Sequence, residues 1–160
     1  MSAPPESPLI LCYDGSEPAK HAIQRAAGLL APRRALVVTV WLSTPALTPG
    51  LGGIANALNF VEVDRAAAKA SSRIAEEGAR IARDAGLGAE PVSVKASGPV
   101  WNAIIETADR YAAAGIVMGA RGVTALRSML VGSVSNGVVH HAKQPTLVIH
   151  RRGDDKGETS

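Results

Sequence analysis

The chain has 160 residues, enough for one ordinary domain, and 46% of them are hydrophobic, so it can bury a sizeable core. Only 3% are aromatic, which predicts a core built from alanine and branched aliphatic side chains. The net charge is +3 and the basic residues form no block, so the composition argues against nucleic-acid binding.

The opening residues are not typical of a secretory signal. The opening residues, "MSAPPESP", are polar and proline-rich, with neither the basic nor the apolar region of a secretory signal. No apolar stretch approaches the roughly 20 residues of a membrane span. We therefore expect a cytoplasmic protein with no membrane partner. The single cysteine, Cys12, lies in an apolar run, and we interpret it as a buried small hydrophobe rather than a reactive thiol.

Short apolar runs alternate with helical patterns along the chain. In chain order the predicted elements are a strand over 8–13, a helix over 17–31, a strand over 34–41, a helix over 57–86, a strand over 90–95, a helix over 98–113, a strand over 114–119, a helix over 133–142 and a strand over 145–150. Ser16 is expected to cap the first helix and Ser133 the last, which Gly137 weakens. One long loop remains, over 42–56, and loops of this length are usually functional or mobile. A further loop, over 120–132, follows the fourth strand.

This alternation predicts an α/β fold: a single-domain, doubly wound (Rossmann-like), five-stranded parallel sheet in the order 3-2-1-4-5, with helices on both faces. We expect the domain to span residues 8–151, with flexible termini over 1–7 and 152–160. In such a sheet, ligands bind outside the carboxyl ends of the strands, where the strand order reverses, which here lies between strands 1 and 4.

The loop after strand 4 has the residues of an anion site. Gly119 and Gly122 let the backbone turn sharply and approach a ligand closely. Gly132 and Ser133 open a helix whose free N–H groups and dipole attract phosphate, and the hydroxyls of Ser133 and Ser135 can add hydrogen bonds. Glycines also end strands and helices, so their spacing alone leaves a purely structural reading open.

The spacing Gly-x2-Gly-x9-Gly-[Ser/Thr], here Gly119, Gly122, Gly132 and Ser133, resembles the nucleotide-binding signature of the universal stress protein family. The segments "ILCYDGSEPAKHAI", "AGIVMGARG" and "LVGSVSNGVVHHAKQPTLVIHR" also resemble that family in type and order, so the likeness covers residues 8–151. Members with this glycine pattern bind ATP or related adenine nucleotides, often with a divalent metal. The resemblance therefore implies ATP, or another adenine nucleotide, with Mg²⁺ or Mn²⁺.

The resemblance also implies roles for individual residues. Asp14 would lie near the ribose and phosphates and help hold the metal through water, its alternative role being a turn and capping residue. The backbone of Val40 would face the adenine. The remaining residues would line the ribose, the turn and the phosphates: Met118, Gly119, Arg121, Gly122, Gly132, Ser133, Val134 and Ser135.

The implied assembly is a homodimer that pairs through the last strand, because Thr146, Leu147, Val148 and Ile149 form an apolar strand at a sheet edge. We find no assembled nucleophile or general base, which predicts a nucleotide-dependent stress regulator or sensor rather than an enzyme, with slow ATP hydrolysis left open. Three alternatives also remain: a member that prefers AMP or cyclic AMP, an interaction protein of the same fold with no nucleotide, and an adenylating enzyme. The short segment "DGSEP" argues against the enzyme, since adenylation needs a dedicated phosphate loop after strand 1.

Overall fold

A computed structural model describes residues 7–31, 33–43, 54–120 and 132–151, and the side chains of residues 54–59 are outside that description. The elements, in chain order, are β1 (Leu9–Cys12), α1 (Glu17–Leu29), β2 (Arg34–Leu42), α2 (Ile54–Asp84), β3 (Gly88–Ala96), α3 (Val100–Arg110), β4 (Gly115–Gly119), α4 (Ser133–His141) and β5 (Thr146–Ile149). Among the described residues, no helix combines the length and the apolar character needed to cross a membrane.

The five strands form one parallel sheet in the order β3-β2-β1-β4-β5. This confirms the predicted fold class and strand order. Because β1 pairs with β2 on one side and with β4 on the other, the reversal of strand order falls between β1 and β4. The carboxyl ends of these two strands therefore lie side by side at one edge of the sheet.

Each face of the sheet is covered by helices, as the apolar strands predict. Alternate side chains of β1 and β2, such as Leu11 and Val37, pack with residues of α1 and α2 such as Ile23 and Ala79. The intervening side chains pack on the other face, in a cluster that includes Ile10, Leu36, Ile104 of α3 and Val138 of α4. Two cores of aliphatic residues thus hold the central strands rigidly, and the ends of those strands carry the candidate site.

The observed boundaries differ from the predicted ones mainly around β2 and α2. Leu42 is still part of β2 and α2 already begins at Ile54, so the loop predicted over 42–56 is shorter. Its central residues, 44–53, lie outside the described residues. The reason is that apolar periodicity continues into both ends of the loop, where prolines and glycines had suggested an earlier break.

Candidate functional site

The chain leaves β1 through a tight turn formed by Asp14, Gly15 and Ser16. The Asp14 Oδ1 atom accepts a hydrogen bond from the backbone N–H of Ser16 at 3.0 Å. Gly15 has a φ of +81°, a left-handed conformation that favours glycine. The Ser16 hydroxyl then accepts from the N–H of Ala19 at 3.3 Å and caps α1, as predicted. The structure therefore gives Asp14 its turn-forming role directly and exposes it at the carboxyl edge of the sheet.

Strand β4 ends against the first turn of α1. A Cβ atom at Gly119 would lie 3.0 Å from the carbonyl oxygen of Pro18 and 3.1 Å from its carbonyl carbon. A side chain here would press on a second backbone segment, which is a different reason for glycine from the close approach of a ligand. The preceding residue, Met118, is buried and packs with the α3 and α4 side of the core.

The end of β4 also holds the start of α4. The carbonyl oxygen of Ala120 accepts from the N–H of Gly132 at 2.7 Å, and the N–H of Ala120 donates to Ile149 of β5 at 3.0 Å. The hydroxyl of Ser135 lies 2.9 Å from the same Ala120 oxygen and 3.0 Å from the carbonyl oxygen of Gly132. Residues 120 and 132 are therefore joined directly, which places the amino end of α4 beside the carboxyl end of β4.

The amino end of α4 has an unusual composition for a helix start. Gly132 is the N-cap, with an extended backbone (φ −66°, ψ 158°), and no side chain caps the helix. The expectation that Ser133 caps α4 was wrong: Ser133 is the first helical residue, because the extended conformation ends one residue earlier than predicted. The first turn contains no acidic residue. The helix dipole and the N–H groups of this turn therefore present positive potential at the edge of the sheet.

The side chains of this turn divide into two kinds. Ser133 is exposed, whereas Val134 is half-buried and packs on the core. Ser135 is only 2% exposed, and its hydroxyl is engaged with the two backbone carbonyls described above. Its hydroxyl thus has a structural partner already, so Ser133 is the better placed of the two hydroxyls to meet a ligand.

Trp101 of α3 anchors the rest of α4. A Cβ atom at Gly137 would lie 2.4 Å from the Trp101 ring, so Gly137 lets that ring pack directly on the helix backbone. The same ring stacks on His141, with centroids 4.5 Å apart and an angle of 19° between the planes. Gly137 was expected only to weaken α4, but the structure shows that it also provides the space for this contact.

A hydroxyl network, formed by Thr39, Ser71 and Ser93, lies where β1 and β2 separate. The Thr39 hydroxyl donates to the carbonyl oxygen of Tyr13 at 2.8 Å, and Ser71 of α2 donates to the carbonyl oxygen of Thr39 at 3.2 Å. Ser93 of β3 donates to the Ser71 hydroxyl at 2.9 Å. Thr39 immediately precedes Val40, which is half-buried and paired with Val94.

Two titratable side chains of β1 and its turn are shielded from solvent. Burial raises the pKa of the Cys12 thiol to about 12, and the nearby Asp14 carboxylate adds to the rise. The thiol is thus protonated at neutral pH, which agrees with its interpretation as a small hydrophobe. Burial, followed by the hydrogen bond to Glu77, also raises the pKa of Tyr13, whose hydroxyl donates to Glu77 Oε1 at 2.8 Å.

A metal ion at the sheet edge would need ligands from a bound phosphate group as well as from the protein. Within residues 7–31, 33–43, 54–120 and 132–151, no group of three or more His, Cys, Asp or Glu side chains could hold one. Asp14 is the carboxylate that the sequence offers at this place. Mg²⁺ commonly keeps several waters and binds through one or two carboxylates together with the phosphates of a ligand. A single exposed carboxylate at a turn suits an ion that arrives with a phosphorylated ligand.

The structure therefore brings most of the predicted site residues to one edge of the sheet. Asp14 follows β1, Val40 lies near the end of β2, and Met118 and Gly119 end β4, next to the helix start formed by Gly132, Ser133, Val134 and Ser135. Arg121 and Gly122 lie outside the described residues. Sequence reasoning missed Thr39 and Ser71. The available signal was a lone threonine within the apolar run "RALVVTVWL" and a serine on the buried face of a helix.

Comparison with known proteins gives a family and a fold. The model of the universal stress protein family matches residues 7–150. No curated protein sequence matches the chain.

Three solved structures illustrate the likeness in fold. The hypothetical protein MJ0577 has a TM-score of 0.77 at 20% identity, over 93% of this chain and 99% of that one. A universal stress protein in complex with cAMP has a TM-score of 0.59 at 23% identity, over 92% and 98% of the two chains. The universal stress protein from Archaeoglobus fulgidus in complex with dAMP has a TM-score of 0.60 at 20% identity, over 91% and 98%.

Proposed function

The chain belongs to the universal stress protein family, and we propose that it is a cytoplasmic, dimeric protein that binds an adenine nucleotide, with ATP as the leading candidate, and acts as a nucleotide-dependent regulator rather than as an enzyme. The observation that carries this proposal is the start of α4. It has no side-chain cap and no acidic residue in its first turn, and it lies where the strand order reverses. Such a helix start is an established place for phosphate.

In this proposal, each segment around the start of α4 would bind a different part of the nucleotide. The N–H groups of Ser133, Val134 and Ser135 and the Ser133 hydroxyl would bind the phosphates. Asp14 would contact the ribose and, through water, a Mg²⁺ or Mn²⁺ ion that neutralises the phosphates. The backbone beside Val40 would face the adenine, and Met118 and Gly119 would lie beside the ribose. Arg121 and Gly122 of the same signature complete the proposed set.

Relatives of the same fold support an adenine nucleotide in general. Structures of universal stress proteins have been solved in complex with cAMP and with dAMP. Both of these ligands have one phosphate group, whereas ATP has three. The length of the phosphate chain is therefore the property that the first binding experiment must resolve.

A thermal-shift measurement tests the proposal directly. The purified protein is heated with Mg-ATP, ATP without metal, AMP or cyclic AMP, next to a Gly122→Val variant. A ligand at 100 times its Kd adds about 2.7 kcal/mol of stability, or roughly 5–10 °C in Tm for a domain of this size. We expect a shift of that order in the wild type and its loss in the variant.

The matched control for this experiment is Gly28→Val. Gly28 lies in α1, and a Cβ atom there would meet no other atom within 4 Å. The control should therefore keep the full ligand-induced shift. A wild type that shows no shift with any of these nucleotides, and carries none after purification, would favour the interaction protein of the same fold instead.

The proposed dimer rests on the edge strand β5. This strand is the end of the described sheet, and Leu147 is 37% exposed there, with Val139 of α4 50% exposed. An apolar edge strand is prone to pair with another strand. Light scattering after size exclusion should give a mass near twice the 16.5 kDa of one chain.

The two exposed leucines provide a variant and its control for the dimer. Leu147→Lys places a charge in the proposed interface, whereas Leu29→Lys places one at the end of α1, where Leu29 is 62% exposed. We expect the first variant to be a monomer and the second to remain a dimer. A wild type that is monomeric at micromolar concentration would refute this part of the proposal.

A further inference from the structure

The strands β1 and β2 stop pairing shortly before the candidate site. Their register runs from Leu9 opposite Ala35 to Cys12 opposite Val38, and the N–H of Tyr13 still donates to the Val38 oxygen at 3.0 Å. The next bond comes from a side chain: the Thr39 hydroxyl donates to the carbonyl oxygen of Tyr13 at 2.8 Å. The Thr39 side chain thus joins the two strands at the point where the backbone hydrogen bonds between them end.

The two carbonyl groups in this network belong to the peptide bonds that precede two of the proposed site residues. The Tyr13 carbonyl is part of the peptide that leads into Asp14. The Thr39 carbonyl, which accepts from Ser71 at 3.2 Å, is part of the peptide that leads into Val40. The hydroxyl network therefore bonds the two peptides that immediately precede the proposed ribose and adenine contacts.

The network is protected from water and anchored on two further elements. Thr39 is 4% exposed and Ser71 is 3% exposed, so their bonds do not compete with solvent. Ser71 belongs to α2, and Ser93, which donates to it at 2.9 Å, belongs to β3 directly opposite Thr39 in the strand register. The separation of the β1 and β2 ends is thus fixed from a helix and a neighbouring strand.

Tyr13 is held by a second bond on the same side of the sheet. Its hydroxyl donates to Glu77 of α2 at 2.8 Å, and a Cβ atom at Gly78 would lie 2.6 Å from its ring. Glycine at 78 therefore allows the ring to lie directly on the helix backbone. Because the side chain, the N–H and the carbonyl of Tyr13 all have partners, the residue before Asp14 has little freedom to move.

We propose that Thr39 is a positioning residue of the nucleotide site: its hydroxyl, supported by Ser71, fixes the Tyr13–Asp14 peptide and the start of the turn that bears the Asp14 carboxylate. This inference rests on the proposed nucleotide binding. Thr39 touches no nucleotide itself, since its side chain lies within the α1 and α2 side of the core. It acts through Tyr13 by setting where Asp14 stands when the ligand arrives.

The test is calorimetric titration of Mg-ATP, or of whichever adenine nucleotide stabilises the wild type best, into Thr39→Val and Thr39→Ser. Valine keeps the shape of threonine and removes the hydroxyl, whereas serine keeps the hydroxyl. We expect Thr39→Val to raise the Kd about tenfold, the lower end of the loss known for hydrogen bonds that support metal-ligating residues. Thr39→Ser should bind within about threefold of the wild type, because the bond to Tyr13 is retained.

Thr107→Val separates positioning from stability. Thr107 of α3 is also buried, and its hydroxyl also donates to a backbone carbonyl, that of Ala103, at 2.7 Å. Each valine variant removes a buried hydroxyl that donates to a backbone carbonyl, so each can change Tm, but only Thr39→Val should raise the Kd. If Thr39→Val does not fold, Ser71→Ala removes the next donor of the network and should raise the Kd by a smaller factor.

The outcomes distinguish the positioning role of Thr39 from the proposed nucleotide binding. A wild type that binds no adenine nucleotide overturns the proposed function and, with it, the positioning role. A wild type that binds, with an unchanged Kd in Thr39→Val or in its substitute Ser71→Ala, overturns the positioning role alone. Equal weakening in Thr39→Val and Thr39→Ser also overturns it, since shape rather than the hydroxyl would then matter.

Discussion

Two helices, α1 and α4, begin at the same edge of the sheet, and their first turns are built in opposite ways. The start of α1 is completed by its own side chains: Ser16 caps it and Glu17 places an acidic group beside the dipole. The start of α4 has Gly132 as its cap, with no side-chain cap and no acidic residue in its first turn. Both turns nevertheless follow strands that are neighbours in the sheet.

The difference shows how a fold can distinguish a structural helix start from a binding one. A helix start that the chain caps and neutralises itself has little left to offer an anion. A start that is held through backbone carbonyls, as α4 is by the bonds from Gly132 and Ser135 to Ala120, leaves the N–H groups of its first turn uncapped by a side chain and keeps its potential for another group. The following substitutions break or sharpen this contrast, from the largest expected effect to the smallest.

The largest effect is expected at the contact that joins the two regions. Gly119→Ala would place a Cβ atom 3.0 Å from the carbonyl oxygen of Pro18, in the first turn of α1. Because the neighbour is backbone, relief requires movement of the strand or the helix, and we expect a loss of about 1–3 kcal/mol in a denaturant titration. Gly28→Ala is the control: its site is open and helical, so it should gain up to about 1 kcal/mol. Equal effects at the two glycines would show that the approach of β4 to α1 is not tight.

The second effect concerns the buried hydroxyl that replaces a cap at α4. Ser135→Ala removes the bonding of that hydroxyl to the carbonyl oxygens of Ala120 and Gly132, leaving Ala120 with its bond from the Gly132 N–H. We expect a loss of about 1–2 kcal/mol, measured in the same way without nucleotide. A neutral result would mean that the backbone bond alone holds α4 in place.

The third effect concerns the capped start of α1. Ser16→Ala removes the acceptor of the Ala19 N–H and should cost about 1 kcal/mol, the usual value for an N-cap. Since α1 is not a proposed binding element, the increase in Tm caused by nucleotide should not change. Loss of that increase would show that the two helix starts act together in binding.

The smallest effect on stability is expected at the corresponding residue of α4. Ser133 is exposed and caps nothing, so Ser133→Ala should change the free energy of unfolding by less than about 0.5 kcal/mol. Its expected effect is on affinity, because the hydroxyl is a proposed phosphate ligand. A variant that loses stability as Ser16→Ala does, yet binds nucleotide normally, would reverse the roles assigned to the two helices.

The alternation of apolar runs and helical patterns along the chain was sufficient to predict the fold. The apolar runs of β1, β2 and β4 and their alternation with helices predicted the parallel sheet and its order. Parallel strands are covered on both faces, so their sequences are almost continuously apolar and easy to recognise. The cap at Ser16 was also predictable, since its signal lies within a few residues of the helix it starts. Local rules failed at Ser133, because the extended residue at the cap position of α4 is Gly132.

Contacts between distant residues explain the other omissions. Gly119 was interpreted from its conformational freedom and Gly137 from its weak helix propensity. The structure adds that a Cβ atom at these positions would crowd Pro18 and Trp101. Thr39 and Ser71 lie 32 positions apart and look like ordinary members of a strand and a helix. Only the meeting of α2 with the ends of β1 and β2 gives their hydroxyls partners.

The bond between Ala120 and Gly132 has a consequence for engineering. Ala120 and Gly132, which flank residues 121–131, are hydrogen-bonded to each other, so these two ends are held side by side. Lengthening a closed loop is inexpensive, at about 0.6 kcal/mol for each doubling. A reporter peptide inserted after Gly122, beyond the proposed site residues Arg121 and Gly122, should therefore leave the bonded ends at Ala120 and Gly132 in place.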